Sequence, residues 1–184
     1  MRSIDRDPGK TCIKIFVRVA GAQSPKIVPL CMANTYTSIC LHLVFAVKNR
    51  DSMISPLWQK NLHAYLAGIL TARGHRPIIV GGTDDHVHLL FKYNINERIP
   101  DLVRELKISS GNYIRENRIT RLKFNWQTGY ACFSCDSKNL EALKSYIANQ
   151  FQHHKGRSLR EEMVLVLTRM GIDFDVKYIF EDIV

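Results

Sequence analysis

The chain of 184 residues is 46% hydrophobic and 23% charged, enough to bury the core of one soluble globular domain, with or without appendages. It contains no apolar run near the ~20 residues that cross a bilayer and no signal-peptide pattern at its N-terminus, so we expect a cytoplasmic protein. The net charge of +9, from 26 basic and 17 acidic residues, favours polyanionic partners without distinguishing DNA from RNA or from an anionic membrane surface.

Residues 1–31 differ in character from the rest of the chain. The run from Cys12 to Val19 fits a short strand, but glycines and prolines flank it and no partner strand is evident. We therefore predict an N-terminal appendage at residues 1–31 and one domain at residues 32–184.

The first strand and helix of the domain are marked by composition and by capping residues. The run Thr35–Lys48 is rich in β-branched and aromatic residues and predicts a strand. Ser55 is a candidate N-cap and Pro56 suits a first helical position, so we expect a helix to about Ala72, ended by Gly74.

The next segment predicts a hairpin that carries two histidines. Arg76–Gly82 predicts a strand, and Thr83-Asp84-Asp85 a tight turn into an antiparallel partner strand around His86–Phe91. Residues two apart on a strand face the same side, with Cα atoms roughly 6.6 to 7 Å apart, so His86 and His88 can direct both imidazoles at one point. The spacing alone also fits one hydrogen-bonded histidine beside an unrelated one.

A basic helix is predicted over Ile99–Arg115, with apolar residues inward and basic residues outward. Between Arg98 and Lys123, seven basic residues stand against three acidic ones. The pattern fits a phosphate-binding surface or an ordinary solvated helix face. The candidate DNA-binding residues are Arg104, Lys107, Arg115, Arg118, Arg121 and Lys123.

The C-terminal third adds two short strands and two helices. The strands are predicted at Phe124–Trp126 and Tyr130–Ser134, and a helix at Asn139–His154. Ser158, with Glu161 three residues later, predicts a capping box that opens a last helix to about residue 170. The order β-α-β-β-α-β-α-α predicts an α/β (α+β) fold of the ferredoxin-like, split βαβ type, an antiparallel sheet with helices packed on it.

The helix at 139–154 carries a tyrosine beside its apolar stripe. The stripe, by its three- and four-residue spacing, consists of Leu140, Leu143, Ile147 and Phe151. Tyr146 and Gln150, at i and i+4, stack on its flank, where a core edge meets solvent. A tyrosine in that position is commonly a packing residue with a solvated hydroxyl, so the residues alone leave its role open.

The five cysteines predict neither a disulfide framework nor a zinc site. They are Cys12, Cys31, Cys40, Cys132 and Cys135. Their number is odd, their spacing is irregular, and the one Cys-x-x-Cys has no second pair, so we expect free thiols.

Five stretches together resemble the single-tyrosine HUH transposases of small, hairpin-ended bacterial insertion sequences and their repeat-associated relatives: YTSICLHLVFAVKNR, DDHVHLLF, FNWQTGYACFS, SYIANQFQHHKGRSLREE and MGIDFDVKYIF. The resemblance covers about residues 33–180 in matching order. Under it, His86 and His88 match the family's histidine pair, Gln150 its third metal ligand and Tyr146 its nucleophile. The chain departs from the family pattern at residues 1–31, since Met32 resembles a typical family start.

The resemblance implies a homodimer, formed by joining sheets, that cuts and rejoins single-stranded DNA with hairpin ends. Attack by a tyrosine hydroxyl on a phosphodiester gives a 5′-phosphotyrosine and a free 3′-OH, so rejoining needs no nucleotide cofactor. Two neutral imidazoles and an amide oxygen leave a divalent cation its full charge to polarise the phosphate. Nitrogen ligands favour Mn²⁺, whereas abundance and the family favour Mg²⁺, so both are candidates.

Two other functions stay open. One is a descendant of the family that binds hairpin DNA or RNA without cutting, which the intact Tyr146-x-x-x-Gln150 pair disfavours. The other is a metal hydrolase that uses the histidine pair with water as nucleophile. The lack of a third histidine or carboxylate ligand nearby in sequence disfavours it.

Two features of the reaction remain to be located. A tyrosine with a reference pKa of about 10 needs a proton acceptor, for which His153 and His154 are candidates, although a helix C-terminus explains them equally well. The polar linker Cys135–Lys138 suits a hinge, so we predict that Tyr146 meets the histidines of the other subunit of the dimer.

Overall fold

The computed structural model describes residues 13–17, 26–30, 36–48, 54–150 and 158–179. The chain divides into two units, Met1–Thr37 and Ser38–Val184. In the first unit, β1 (Ile13–Val17) pairs with β2 (Lys26–Leu30) in antiparallel register. The expectation that the first strand lacks a partner was wrong, because a proline in β2 made that segment resemble a loop. Both strands of a two-stranded sheet are edge strands, where proline is tolerated.

The second unit is built on a four-stranded antiparallel sheet. Its strands are β3 (Cys40–Ala46), β4 (Arg76–Gly82), β5 (His86–Lys92) and β6 (Ala131–Ser134), in the order β4-β5-β3-β6. This order, with a helix after β3 and another after β5, is the ferredoxin-like split βαβ arrangement. The predicted fold class is therefore confirmed.

Within the described residues, four α-helices accompany the sheet: α1 (Pro56–Ala72), α2 (Ile99–Glu116), α3 (Leu140–Ala148) and α4 (Leu159–Arg169). Ser55 caps α1 by accepting a hydrogen bond from the Leu57 N–H at 3.4 Å. Ser158 and Glu161 form both bonds of the predicted capping box at the start of α4. None of the helices in the described ranges is long and apolar enough to span a membrane.

Two predicted elements differ from the structure. Phe124–Trp126 is not a strand but a single bridge from Trp126 to Val47, flanked by hydrogen bonds from the Lys48 N–H to the Asn125 carbonyl at 2.8 Å and from the Gln127 N–H to the Ala46 carbonyl at 2.9 Å. The helix predicted at 139–154 follows a 3-10 turn at Ser137–Asn139 and ends at Ala148, with Asn149 as its C-cap. Residues 151–157 lie outside the described parts.

The two faces of the sheet carry different residues, because successive side chains of a strand alternate between faces. One face packs on α1 and α2 and forms the larger core, to which β5 contributes Val87, Leu89 and Phe91. The other face holds His86 and His88, together with a smaller apolar cluster. That cluster comprises Val44, Ala46, Phe133, Leu159, Met163 and Ile179.

Candidate active site

His86 is buried and is oriented by the turn before it. Its Nδ1 lies 2.6 Å from Asp85 Oδ1 and 2.9 Å from Thr83 Oγ1, and the Thr83 hydroxyl donates to the same Asp85 oxygen at 2.6 Å. Because a carboxylate only accepts, the Nδ1 atom of His86 carries the proton and donates it to Asp85. The lone pair available for a metal is then on Nε2.

The turn itself is held from α1. The Gln59 side-chain amide donates to the Thr83 carbonyl at 2.8 Å and to the Gly82 carbonyl at 3.3 Å. Gly82 has φ +151°, and a Cβ there would lie 2.2 Å from the His86 carbonyl oxygen. The turn therefore requires glycine at this position. This turn and its hydrogen bonds to Gln59 fix the position of the His86 backbone.

His88 is oriented by a third histidine, His42, on the neighbouring strand β3. The His88 Nδ1 and His42 Nε2 atoms are 2.8 Å apart, and the rings stack with centroids 5.1 Å apart. Burial lowers the pKa of His42 to about 4, so its ring is neutral at pH 7 and the two rings share one proton in this bond. When His88 Nδ1 donates that proton, its Nε2 is the coordinating atom, as in His86.

Sequence reasoning missed His42. The signal that was available is a histidine inside the apolar run of β3, because a polar group in such a place must find a partner.

Tyr146 of α3 lies against His88. The ring centroids are 6.0 Å apart in an edge-to-face arrangement, and the Tyr146 hydroxyl donates to Glu162 Oε2 of α4 at 2.6 Å. Burial raises the pKa of Tyr146 above its ordinary value, and the hydrogen bond to Glu162 raises it further. Glu162 was not singled out from the sequence, where it appears as an ordinary acidic residue in the first turn of a helix.

Gln150 lies two residues beyond the end of α3 and is 1% exposed. Its Oε1 and Nε2 atoms are both buried and make no hydrogen bond of normal geometry within the described residues, although the amide lies close enough to Tyr146 to lower the pKa of that residue slightly against the effect of burial. A buried amide with neither atom bonded indicates a missing partner such as an ion or water. No group of three His, Cys, Asp or Glu side chains in the described ranges could hold a metal.

Gly81 allows α3 to approach the sheet. A Cβ at Gly81 would lie 2.7 Å from Ile147 Cγ2 and 2.8 Å from the Ile147 carbonyl oxygen. Both distances are too short for a real side chain, so only glycine permits this contact between β4 and α3. Because Ile147 is next to Tyr146, the contact also sets the distance between Tyr146 and the sheet.

A family model described as "Transposase IS200 like" matches residues 35–150, more than half of the chain. The chain belongs to the IS200-like transposase family. This confirms the family inferred from the sequence motifs. The matched range contains both histidines, Tyr146 and Gln150. No curated protein sequence matches this transposase.

The solved structures that share its fold include the following two. One is a protein from Deinococcus radiodurans R1 described as a candidate transposase, with 22% identity, a TM-score of 0.51, and coverage of 64% of this chain and 95% of that chain. The other is a REP-associated tyrosine transposase bound to a REP hairpin, with 13% identity, a TM-score of 0.51, and coverage of 83% of this chain and 97% of that chain. At these identities the likeness concerns the fold.

In the single chain of this transposase, Tyr146 docks against its own His88. The linker Cys135–Lys138 is not an open hinge here, because Asp136 caps a 3-10 turn within it by accepting from the Lys138 N–H at 3.2 Å. In the single chain the tyrosine therefore lies beside its own histidines, and the arrangement across two subunits stays a prediction. His153 and His154 lie outside the described residues.

The six candidate DNA-binding residues differ in burial and in hydrogen bonding, and Lys107 differs most from the others. Lys107 Nζ donates to the carbonyls of Gln127, Thr128 and Gly129 at 2.8, 3.1 and 2.7 Å, which uses all three of its N–H groups. Burial lowers the pKa of Lys107 to about 8. In this arrangement Lys107 fixes a turn and presents no N–H to a phosphate.

The other five basic residues are exposed: Arg104, Arg115, Arg118, Arg121 and Lys123. Arg104 is 3.6 Å from Asp101, and Arg115 donates to Asn112 Oδ1 at 2.6 Å and to the Phe124 carbonyl at 3.3 Å. Phosphate binding by these five residues stays a prediction.

Proposed function

We propose that this transposase cuts and rejoins single-stranded DNA with hairpin ends, using Tyr146 as the nucleophile and a divalent cation. The observation that supports it is the contact of Tyr146 with the histidine pair, from a segment far away in sequence, with the buried Gln150 four residues after the tyrosine. One solved structure with a similar fold, the REP-associated tyrosine transposase, is bound to a REP hairpin, and this supports hairpin DNA as the substrate class.

The cation, Mg²⁺ or Mn²⁺, would be held by Nε2 of His86, Nε2 of His88 and Oε1 of Gln150. The tautomers set by Asp85 and His42, and the buried amide of Gln150, fit this donor set. When bound, such a cation supplies Lewis-acid polarisation of the phosphodiester.

The residues of the chain have separate tasks in this reaction. The Tyr146 hydroxyl attacks the phosphorus and becomes linked to the 5′ phosphate, and a 3′-OH is released. Asp85 and His42 hold the Nδ1 atoms of the two imidazoles, which leaves both Nε2 atoms available to a cation. The α4 helix covers the same face of the sheet beside Tyr146 and limits access of water to the phosphotyrosine.

The test is one incubation of labelled, hairpin-containing single-stranded DNA with the protein and Mg²⁺ or Mn²⁺, analysed on a denaturing gel. We expect a covalent protein–DNA species with the native protein and none with Tyr146→Phe, which should bind the hairpin within a few-fold of the native affinity. Binding without cleavage would favour the non-cutting descendant. A free 5′ phosphate without an adduct would favour the hydrolase.

A homodimer formed by joining sheets is part of the same proposal. β4 and β6 are the two edges of the four-stranded sheet, and an edge strand presents backbone groups that a second copy can pair with. Light scattering on the full chain measures the mass of the particle in solution. If the measured mass is that of a monomer, the dimer is no longer part of the proposal, and the proposed chemistry is unchanged.

A further inference from the structure

The hydrogen bond between Tyr146 and Glu162 joins two helices that are separated in sequence. The donor and acceptor residues are 16 positions apart, and the Oη–Oε2 distance is 2.6 Å. A carboxylate in the first turn of a helix has an ordinary explanation, because it interacts favourably with the helix dipole. That explanation does not require the side chain to contact a tyrosine, and Glu161 of the same turn already serves the capping box.

A tyrosine nucleophile needs a group that takes its proton. Its reference pKa is about 10, so little tyrosinate exists at neutral pH. A general base must lie within about 2.6 to 3.2 Å of the atom it deprotonates, directly or through one water. Among the described residues, the Glu162 carboxylate meets this requirement directly.

We propose that Glu162 is a catalytic residue that accepts the Tyr146 proton during DNA cleavage and returns it during rejoining. The inference rests on the proposed function, and deepens it by assigning the proton acceptor of the same site. It also places that acceptor on α4 rather than on the helix of the tyrosine.

In the cleavage step, the Oη–H bond of Tyr146 breaks and its proton passes to Glu162 Oε2. The Oη–P bond forms as the P–O3′ bond breaks, and the bonding electron pair leaves on O3′, which takes a proton from solvent. In rejoining, a 3′-OH loses its proton to solvent and attacks phosphorus. The P–Oη bond then breaks and Oη recovers the proton from Glu162. Nothing is oxidised or reduced, and no co-reactant is required.

The same hydrogen bond would have the opposite effect if it only held Tyr146 in a resting position. A proton acceptor accelerates cleavage, whereas a resting contact retards it. Replacing the carboxylate by an amide of the same shape therefore changes the rate in opposite directions under the two interpretations.

The experiment compares single-turnover cleavage of a labelled hairpin single strand by the native protein, Glu162→Gln and Glu162→Asp. We expect Glu162→Gln to cleave about 10² to 10⁴ times more slowly, the range by which a positioned general base accelerates a reaction. Glu162→Asp should recover part of this loss, with hairpin binding unchanged in both variants. Glu161→Gln is the matched control, since it removes the same charge from the same helix turn and should stay within about twofold of the native rate.

Chemical rescue separates proton transfer from a structural role. Glu162→Ala should be slow, and added formate or acetate should restore its cleavage in a concentration-dependent manner, with no such effect on Tyr146→Phe. Two results would overturn the assignment, provided that the native protein forms its adduct. One is cleavage by Glu162→Gln at or above the native rate. The other is a slow Glu162→Ala variant whose cleavage neither formate nor acetate restores. If the native protein forms no adduct, the proposed function fails and the assignment fails with it.

Discussion

His86 and His88 stand two residues apart on one strand, yet different groups orient them. A carboxylate from the preceding residue holds His86, and a neutral imidazole from the adjacent strand holds His88. Such partners of ligating histidines fix the tautomer and the ring orientation. His42 should therefore contribute to metal binding without touching the metal.

Replacement of His42 by phenylalanine tests that contribution. His42→Phe keeps an aromatic ring stacked near His88 and removes the nitrogen that accepts its Nδ1 proton. We expect Mn²⁺ affinity to fall by about 10- to 100-fold, as for other partners of ligating histidines, and cleavage to fall with it. Calorimetric titration with Mn²⁺ measures the affinity directly.

His63→Phe is the control for this change. His63 is also a histidine of lowered pKa with a buried Nε2, but it lies on α1, which packs on the other face of the sheet. Its replacement should leave Mn²⁺ affinity unchanged. Equal affinities of His42→Phe and the native protein would show that His42 only fills space.

Among the secondary-structure elements, α3 is the one whose position matters most for the chemistry. It carries Tyr146, precedes Gln150 closely, and approaches β4 where Gly81 leaves room for Ile147. The approach is set by backbone, since one of the two close atoms is the Ile147 carbonyl oxygen. A side chain at Gly81 would have to move the helix.

Gly81→Ala should therefore reduce cleavage while the fold persists. The added Cβ displaces α3 from β4, and a shift of about 1 Å in a catalytic group can cost about 10²-fold in rate. Single-turnover cleavage and thermal unfolding, measured together, check this. Gly68→Ala in α1 is the control: nothing lies within 4 Å of its Cβ, and alanine in a helix interior should add roughly 0.5 to 1 kcal/mol of stability without affecting the rate. Native cleavage by Gly81→Ala would show that α3 adapts.

The sequence predicted the elements whose signals are local. A strand period of two put His86 and His88 on one face, Ser55 and Pro56 marked the start of α1, and the Ser158–Glu161 spacing marked α4. These patterns depend on neighbours within a few residues, and the structure contains them.

The contacts that the sequence did not predict join distant positions. His42 is 46 residues from His88, and Glu162 is 16 residues from Tyr146. Lys107 looked like a phosphate contact because it is a basic residue on an amphipathic helix. Only the fold brings three carbonyl oxygens to its ammonium group. Periodicity identifies the face on which a side chain lies, but not its partner on another element.

At the scale of the whole molecule, the four-stranded sheet is complete without residues 1–31. All its strands lie at residue 40 or beyond, and β1 pairs with β2. We expect a protein that begins at Met32 to unfold at nearly the same temperature and to cut DNA at the native rate. It loses a net charge of +4, from six basic and two acidic residues, so nonspecific DNA binding at low salt should weaken. A large fall in melting temperature would show that residues 1–31 support the main domain.

A mixed dimer distinguishes a site within one subunit from a site shared by two. His86→Ala and Tyr146→Phe proteins, each inactive, are refolded together and assayed for cleavage. If Tyr146 works on its own chain, as it lies in the single chain, every site of the mixed dimer carries one lesion and no activity should return. Sites shared across the dimer would instead restore up to about a quarter of the native activity with statistical mixing. Mass spectrometry confirms that the heterodimer is present.

Successive side chains of β5 lie on opposite faces of the sheet, and this alternation links the folding of the protein to its proposed chemistry. A slip of one residue in the pairing register of the whole strand would turn His86 and His88 toward α1 and α2, and would turn Val87 and Leu89 toward α3 and α4. Such a chain would bury imidazoles in its main core and lose the sheet as well as the site. Copies of the protein that fold at all therefore carry both histidines on the correct side, so selection for a stable sheet also preserves the facing of the two proposed metal ligands.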